Sequence, residues 1–360
     1  MQAILRSLAT TKQRLFERPY RFARVFDGGS TSRRTLARRA ALRLASGSAL
    51  LRLDSRPVPA AAGEIRLFMV GRNESLRLPY CFRYYRRLGV DRFFVIDNDS
   101  TDGSREYALA QPDTHVFWSR DSYKKASCGH LWLETLLGAY GRDGWCVVVD
   151  ADEVLVYPHC ESATLRDLCR FFDGQRQTAM FSFLVEMYSR VPFAENLYRP
   201  DQDPLEVCAY LDADNYVHSQ VRELGQTRLR VTGGMRKRAF GTDALLNKYV
   251  LLKGTGGIKA YQGMHWIDNA AVADVSGVVL HFKYFSDFAD RVKEEVARKQ
   301  HWNGASEYRE YLRTLARVPD LCPHYDGSVR VTDSGQLTAL GLVRSSPAFD
   351  EFCSPLPAPG

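Results

Sequence analysis

Between residues 64 and 160 short apolar runs alternate with helix-spaced apolar stripes. Ile65-Arg66-Leu67-Phe68-Met69-Val70 reads as a strand that stops at Gly71-Arg72-Asn73-Glu74. From Ser75 to Leu88 the apolar positions Leu78, Phe82, Tyr85 and Leu88 fall on one helical face, and Gly89-Val90-Asp91 turns the chain. Arg92-Phe93-Phe94-Val95-Ile96 is a second strand, ending in Asp97-Asn98-Asp99 and a Ser100-Thr101-Asp102-Gly103 turn. Asp102 or Ser100 can cap a helix through Arg105 to Ala110. A helix is expected over Ala126–Tyr140, apolar at Leu131, Leu133, Leu136 and Leu137. Trp145-Cys146-Val147-Val148-Val149 then reads as a strand buried on both faces, since neither face is polar. Strand–helix–strand alternation at this spacing predicts an α/β fold around a right-handed, mostly parallel sheet flanked by helices.

Further along, Met180-Phe181-Ser182-Phe183-Leu184-Val185 ends at Glu186, and Val278-Val279-Leu280 ends at His281-Phe282-Lys283-Tyr284. An apolar Tyr249-Val250-Leu251-Leu252 lies between Lys248 and Lys253. Phe288–Leu315 reads as a helical tail, with Val292, Val296, Tyr308 and Leu312 in step and His301-Trp302-Asn303-Gly304 interrupting it. The expected organisation is a basic segment with a Pro- and Ala-rich linker (1–63), an α/β body (64–290) and a helical C-terminal tail (291–360). The body divides into a first half (64–160) and a second half (161–290), the latter with long loops such as 192–215.

Charge refines this picture. The chain carries +7 overall, but residues 1–60 hold thirteen Lys and Arg against three acids, which leaves the other 300 residues near −3. The body is therefore not basic, and a nucleic-acid partner is not expected. Arg33, Arg34, Arg38, Arg39 and Arg43 sit among Leu36, Ala40, Ala41, Leu42 and Leu44, a partly amphipathic stripe. It suits peripheral contact with an anionic membrane, and equally a solvated or docked helix. The sequence contains no run of about 18 apolar residues that would span a membrane, and the start lacks the apolar core of a secretion signal. Eight scattered cysteines form no CxxC pair and read as reduced core thiols, so a cytoplasmic setting is expected, with the leader at the inner face of the membrane as a further option.

The strand ends carry the chemistry. Asp150-Ala151-Asp152-Glu153 follows a buried strand, and burying carboxylates costs several kcal/mol unless they are neutralised. A hard divalent cation prefers such oxygens. In open α/β sheets, ligands bind just beyond the carboxyl ends of strands. Three polar strand ends on one sheet edge make a nucleotide-binding geometry. There is no GxGxxG or GxxxxGK[ST], which weakens dinucleotide and P-loop readings.

Val70-Gly71-Arg72-Asn73-Glu74, then Gly89-Val90-Asp91 with Val95-Ile96-Asp97-Asn98-Asp99-Ser100-Thr101-Asp102-Gly103, then Val149-Asp150-Ala151-Asp152-Glu153 resemble the family 2-like glycosyltransferases. The branch is the one with an Arg/Lys-Asn-Glu start and an Asp-x-Asp-Glu metal motif. Leu184-Val185-Glu186-Met187-Tyr188-Ser189, Met235-Arg236-Lys237-Arg238 and Val279-Leu280-His281-Phe282-Lys283-Tyr284 extend the resemblance more loosely, and the first 60 residues lie outside it. The resemblance implies a glycosyltransferase A-type, Rossmann-like domain. Its activity would be that of a hexosyltransferase, taken as inverting, that moves a sugar from a nucleotide diphosphate sugar, UDP-linked, to a carbohydrate or lipid-linked acceptor hydroxyl in surface polysaccharide or glycan synthesis. It also implies roles. Arg72, Asn73 and Glu74 line the base and ribose pocket, and Asp97 and Asp99 bind the uracil ring or ribose hydroxyls. Asp150 approaches the ribose or the metal. Asp152 coordinates Mn²⁺ or Mg²⁺, and His281 completes the metal shell, imidazole suiting Mn²⁺ better, or is instead a satisfied core histidine.

Several residues have roles argued from the strand pattern. Lys248, Lys253 and Lys283 are phosphate candidates, with a solvated basic rim as the alternative for the first two. An inverting transfer needs a carboxylate near the acceptor hydroxyl. Glu186 is the first choice for that base, although the family usually has Asp there, and Asp268 is the second. His265 and Trp266 offer a sugar-stacking surface or core packing. Two enzyme alternatives place acids at strand ends: a haloacid-dehalogenase-type phosphatase, which leaves the two upstream strand ends unexplained, and a sugar nucleotidyltransferase, which wants a Gly-rich basic loop absent here. A third alternative is a non-catalytic nucleotide-sugar-binding module.

Overall fold

The computed structural model describes residues 50–60, 63–142, 144–223, 226–254, 259–261 and 263–355. The leader and its amphipathic stripe lie outside the described residues. The molecule is built on a nine-stranded mixed sheet. Its left half comprises β1 (Leu51–Arg52), β2 (Ile65–Gly71), β3 (Arg92–Asp97), β4 (Thr114–Trp118) and β5 (Trp145–Val148), in the order β1-β4-β3-β2-β5. Beyond β5 the order continues β11 (Asn247–Lys253), β7 (Ala179–Glu186), β14 (Gly277–His281), β6 (Glu153–Val156). β4, β3, β2 and β5 run parallel. The antiparallel β11 reverses the direction once, so β7 and β14 point the same way as they do. Six of the nine strands thus bring their carboxyl ends to one edge.

The strands take this place because they are buried on both faces: Leu67, Phe68, Phe93, Phe94, Cys146 and Val147 have no exposed surface, and neither do Val279 and Leu280. Helices α1 (Leu78–Arg87), α2 (Ser104–Ala110), α3 (His130–Tyr140) and α4 (Leu165–Gly174) cover them. α1 starts with Pro79 in its first turn and ends on Arg86 and Arg87, the favourable sign at that end of the helix dipole. It begins three residues later than the apolar stripe predicts, since the chain from Gly71 to Arg77 serves as a motif loop. α3 likewise begins at His130 rather than Ala126, after Ser127, Cys128 and Gly129 in the left-handed region. Asp102 does cap near α2: its Oδ1 accepts from the Ser104 amide at 3.0 Å. α4 carries a capping box, Thr164 with Asp167.

Three expectations about the periphery change. The linker is not a free spacer. Leu51 and Arg52 pair with β4, and Asp54 accepts from the Val116 amide at 3.1 Å and meets His115 Nδ1 at 3.0 Å. Residues 192–215 are not simply loop: α5 (Pro204–Val207) and β8 (Tyr210–Asp212) lie within them. The ribbon β9 (Tyr216–Glu223) and β10 (Gln226–Gly233) follows, then α6 (Gly234–Phe240). β12 (Lys259–Tyr261) and β13 (Trp266–Asp268) form a second antiparallel pair.

The tail is helical at first, as expected, in α7 (Phe288–Arg298) and α8 (Trp302–Arg317), the latter kinked at Asn303-Gly304-Ala305. It then adds β15 (Ser328–Arg330) to β8, and α9 (Ser334–Ala339) and α10 (Pro347–Cys353). A second aromatic core of Tyr188, Phe193, Phe240, Tyr284, Phe288 and Tyr311 seats α7 and α8 on the body. Among the described residues no helix is long and apolar enough to cross a membrane.

Candidate active site

The carboxyl ends of β2, β3 and β5 place three motif loops side by side. The loops after β2 and β3 are stitched together by backbone donors and short polar side chains. The Asn73 amide donates to Ser100 Oγ at 3.0 Å, the Glu74 amide to Ser104 Oγ at 2.7 Å and the Ser75 amide to Asp102 Oδ2 at 2.9 Å. In return, Asn73 Oδ1 accepts from the Thr101 amide at 2.9 Å. Asn73 and Asp99 both hold positive φ, 54° and 59°, a conformation in which Asn and Asp are the usual non-glycine residues. Gly71, Glu74, Asp97, Ser100, Ser104, Arg105 and Ala151 line a narrow cleft between these loops. A wider hollow between α4 and α10, lined by Phe171 and Phe352, holds none of the motif residues.

The third loop is Asp150-Ala151-Asp152, between β5 and β6. These two strands lie far apart in the sheet, so the loop crosses its edge. Glu153 closes it: Oε2 accepts from the Asp150 amide at 3.0 Å, and Oε1 meets Lys248 Nζ at 2.7 Å. The Phe282 amide donates to the Asp152 carbonyl at 2.8 Å, tying the loop to the end of β14. Asp152 Oδ2 lies 3.3 Å from His281 Nε2, and His281 Nδ1 lies 2.9 Å from Glu186 Oε2. The sheet register dictates this, because His281 is the direct partner of Glu186 on one side and of Glu153 on the other.

The electrostatics follow from burial and charge. Burial works against the His281 cation, but Glu186 and Asp152 outweigh it and push the imidazole up to about 10. Burial would raise the Glu186 carboxyl; Arg236 and His281 reverse that and lower it to about 2. Asp152 is held well below the carboxylate range, His281 overcoming burial there too. Asp150 moves the other way: desolvation, then the neighbouring Glu153 carboxylate, raise it to about 7, although its side chain is 55% exposed.

No family profile matches the chain. A 131-residue stretch is 28% identical to a glycosyltransferase family 92 protein of Oryza sativa subsp. japonica. That stretch covers 34% of this chain and 21% of the rice protein, so the chain spans about a fifth of its relative's length. Among solved structures, 4-diphosphocytidyl-2C-methyl-D-erythritol synthase aligns over 79% of this chain and 99% of its own, at 11% identity and a TM-score of 0.26, too low to carry an argument. The similarity is thus to a glycosyltransferase, of family 92 where the motifs resemble family 2.

Against this background the expected site residues separate into two groups. Asp152 and His281 come together, whereas Asp150, on the same loop, has Lys248 at 3.9 Å. Asp97 is buried in the cleft wall, accepting from the Ser100 amide, and desolvation raises its carboxyl. Asp99 is 43% exposed and receives Trp118 Nε1 at 3.3 Å. Arg72 donates to the Asn98 and Asp99 carbonyls and faces Glu294 at 3.7 Å. Glu74 is held by both terminal nitrogens of Arg291, at 2.9 and 2.5 Å. Arg72, Asn73 and Glu74 therefore brace the loops, and of the three only Glu74 also lines the cleft.

The two candidate bases are engaged elsewhere. Glu186 gives one oxygen to Arg236 and the other to His281. Asp268 sits on β13 in a buried pair with Arg228 at 2.5 Å. Each candidate base therefore already has partners in this structure, Glu186 between a guanidinium and an imidazole and Asp268 with a guanidinium. Lys253 pairs with Asp173 at 2.6 Å, and Lys283 lies over the rings of Tyr308 and Tyr311 at 4.4 and 4.9 Å. Trp266 is a core residue, 4% exposed. Sequence reasoning missed Arg236, Arg77, Asp287, Arg291 and Glu307. Only Arg236 carried a signal, as part of a quoted basic run; the others are ordinary helix charges until the fold brings them in.

Proposed function

We propose that the protein is a metal-dependent glycosyltransferase that moves a sugar from a nucleotide diphosphate sugar, UDP-linked, to a hydroxyl of a carbohydrate or lipid-linked acceptor. One observation carries the reading: Asp152 and His281 stand side by side, 3.3 Å apart, at the carboxyl edge beside the stitched 71–75 and 97–104 loops. The similarity to the rice glycosyltransferase supports it.

The donor set suits a hard cation. Among the described residues no three His, Cys, Asp or Glu side chains are grouped so as to hold a metal ion, so the protein would supply two donors. An aspartate and an imidazole, with the half-exposed Asp150 on the same loop, leave positions open, as a Mn²⁺ or Mg²⁺ shared with diphosphate oxygens requires. Such an ion supplies Lewis acidity to the leaving diphosphate. The chain's own groups do the rest. Asp97 and Asp99 accept hydrogen bonds from the base or ribose hydroxyls. Glu153 and Lys248 hold the acidic loop in shape, and Glu186 keeps His281 Nε2 turned toward Asp152.

Calorimetric titration of UDP with and without Mn²⁺ tests the reading. Wild type is expected to bind UDP in a Mn²⁺-dependent way, and Asp152→Ala to lose more than about 100-fold in affinity, beyond the range seen when only an outer-shell partner is removed. Should neither UDP nor GDP bind wild type, the transferase reading falls.

A further inference from the structure

We infer that Glu307 and Arg236 are positioning residues of this site, forming a relay that runs from the C-terminal helix α8 to His281. The inference rests on the transferase reading and adds to it Glu307, on a helix outside every motif that carried that reading.

The relay is continuous. Arg236 Nη2 contacts Glu186 Oε1 and lies 3.4 Å from His281 Nδ1, while Glu186 Oε2 is 2.9 Å from the same Nδ1. The other arm of the guanidinium, Nη1, donates to Glu307 Oε1 at 3.0 Å, and Tyr311 OH donates to that same oxygen. Arg236 is 6% exposed and Glu186 3%. The start of α6 is built to put the guanidinium there. Gly233 turns the chain out of β10 at φ 108°, and a Cβ on it would come within 2.1 Å of the Asn215 carbonyl oxygen, so no other residue fits.

Packing does not require this arrangement. Buried ion triads are often no more stable than apolar side chains of the same volume. What the triad does supply is direction. Glu186 has two equivalent oxygens, and unless one is claimed it can turn away from the imidazole. Arg236 claims Oε1, which leaves Oε2 for Nδ1–H and fixes the ring with Nε2 toward Asp152. Glu307 holds Arg236 in turn. Without it the guanidinium is free to take both Glu186 oxygens and displace His281. Outer-shell partners of this kind orient a metal-binding imidazole.

The test uses the full chain and Mn²⁺ with UDP, or with GDP should UDP fail to bind, bound Mn²⁺ being counted by electron paramagnetic resonance. Glu307→Gln keeps the shape and removes the charge; Arg236→Lys keeps the charge and removes the fork. Each is expected to weaken Mn²⁺ uptake by about 10–100-fold while retaining one cooperative thermal transition. Glu310→Gln, an exposed change on the same helix, should bind as wild type does. Wild-type Mn²⁺ affinity in Glu307→Gln overturns the relay and leaves the transferase reading standing. No Mn²⁺ uptake by wild type with either nucleotide overturns both. If Glu307→Gln does not fold, Tyr311→Phe takes its place: weaker Mn²⁺ uptake is expected, and unchanged uptake overturns the relay.

Discussion

At the scale of single residues, the acidic loop depends on one buried cation. Lys248 is 7% exposed and Glu153 2%, and their 2.7 Å pair lies directly under Asp150 and Asp152. Removing one partner of such a pair leaves the other charge buried and unmatched. Lys248→Ala is therefore expected to destabilise the protein by about 3–5 kcal/mol. The double change Lys248→Met with Glu153→Gln should recover part of that loss. Urea unfolding of the single and double variants measures both, and an equal loss in the two would contradict the pairing argument. From sequence Lys248, beside an apolar strand, is a phosphate candidate or part of a solvated basic rim. Its actual partner is a glutamate 95 positions earlier in the chain, which no local pattern announces.

At the scale of elements, α7 acts as a bracket across the first motif loop. Asp287, just before its first turn, takes Arg77 through two bonds of 2.8 and 2.9 Å, and Arg291 takes Glu74. Glu294 reaches Arg72 one turn further on, and Gln300 Oε1 accepts from Ser122 Oγ at 2.6 Å. Phe288 and Val292 of the same helix are buried in the aromatic core. Arg291→Ala should lower the free energy of local opening of α7 by about 2 kcal/mol, the range for hydrogen bonds between charged groups. Amide hydrogen exchange would show this as faster exchange in 288–298, with β2 unchanged. The helical spacing of Val292, Val296, Tyr308 and Leu312 made the tail legible as helix, since burial imposes that period. Its charged face reads from sequence as solvated, and only the docking shows what it touches.

At the scale of the whole molecule, acid should act on the fold in two stages, the first carried by His265 and opposed by Asp150, whose raised carboxyl holds its proton more tightly in the native state. His265 donates through Nδ1 to the Asn247 carbonyl at 2.5 Å, and burial, then Lys248, lower its pKa to about 4. The unfolded chain binds a proton there near 6.5, so between 6.5 and about 4 it holds more protons than the native state, and stability falls as the pH drops. This one group should remove about 2 kcal/mol between pH 7 and pH 5. Urea midpoints at the two pH values should converge in His265→Gln relative to wild type; an unchanged difference would rule the assignment out. Below about pH 4 the second stage begins. Paired carboxylates such as Glu64 and Asp113, whose pKa values are lowered by Arg92 and Arg86 against burial, then lose their partners' contribution.

The sequence by itself determined the α/β class, the strands β2, β3 and β5 and the loops that leave them, because burial on two faces and helical periodicity are local constraints written into consecutive residues. It also singled out Asp152 and His281, each at the end of an apolar run. The tertiary structure alone decided that these two side chains meet, 129 positions apart. That follows from a crossover that puts β14 between β7 and β6, and so aligns Glu186, His281 and Glu153 in one row across three strands. Strand order and register are set by the packing of the whole sheet, where each strand's neighbours are chosen by non-local contacts. The same holds for Arg236 and Glu307. Arg236 is marked only as part of a basic run and Glu307 not at all, and their meaning arises only where α6 and α8 converge on the end of β7.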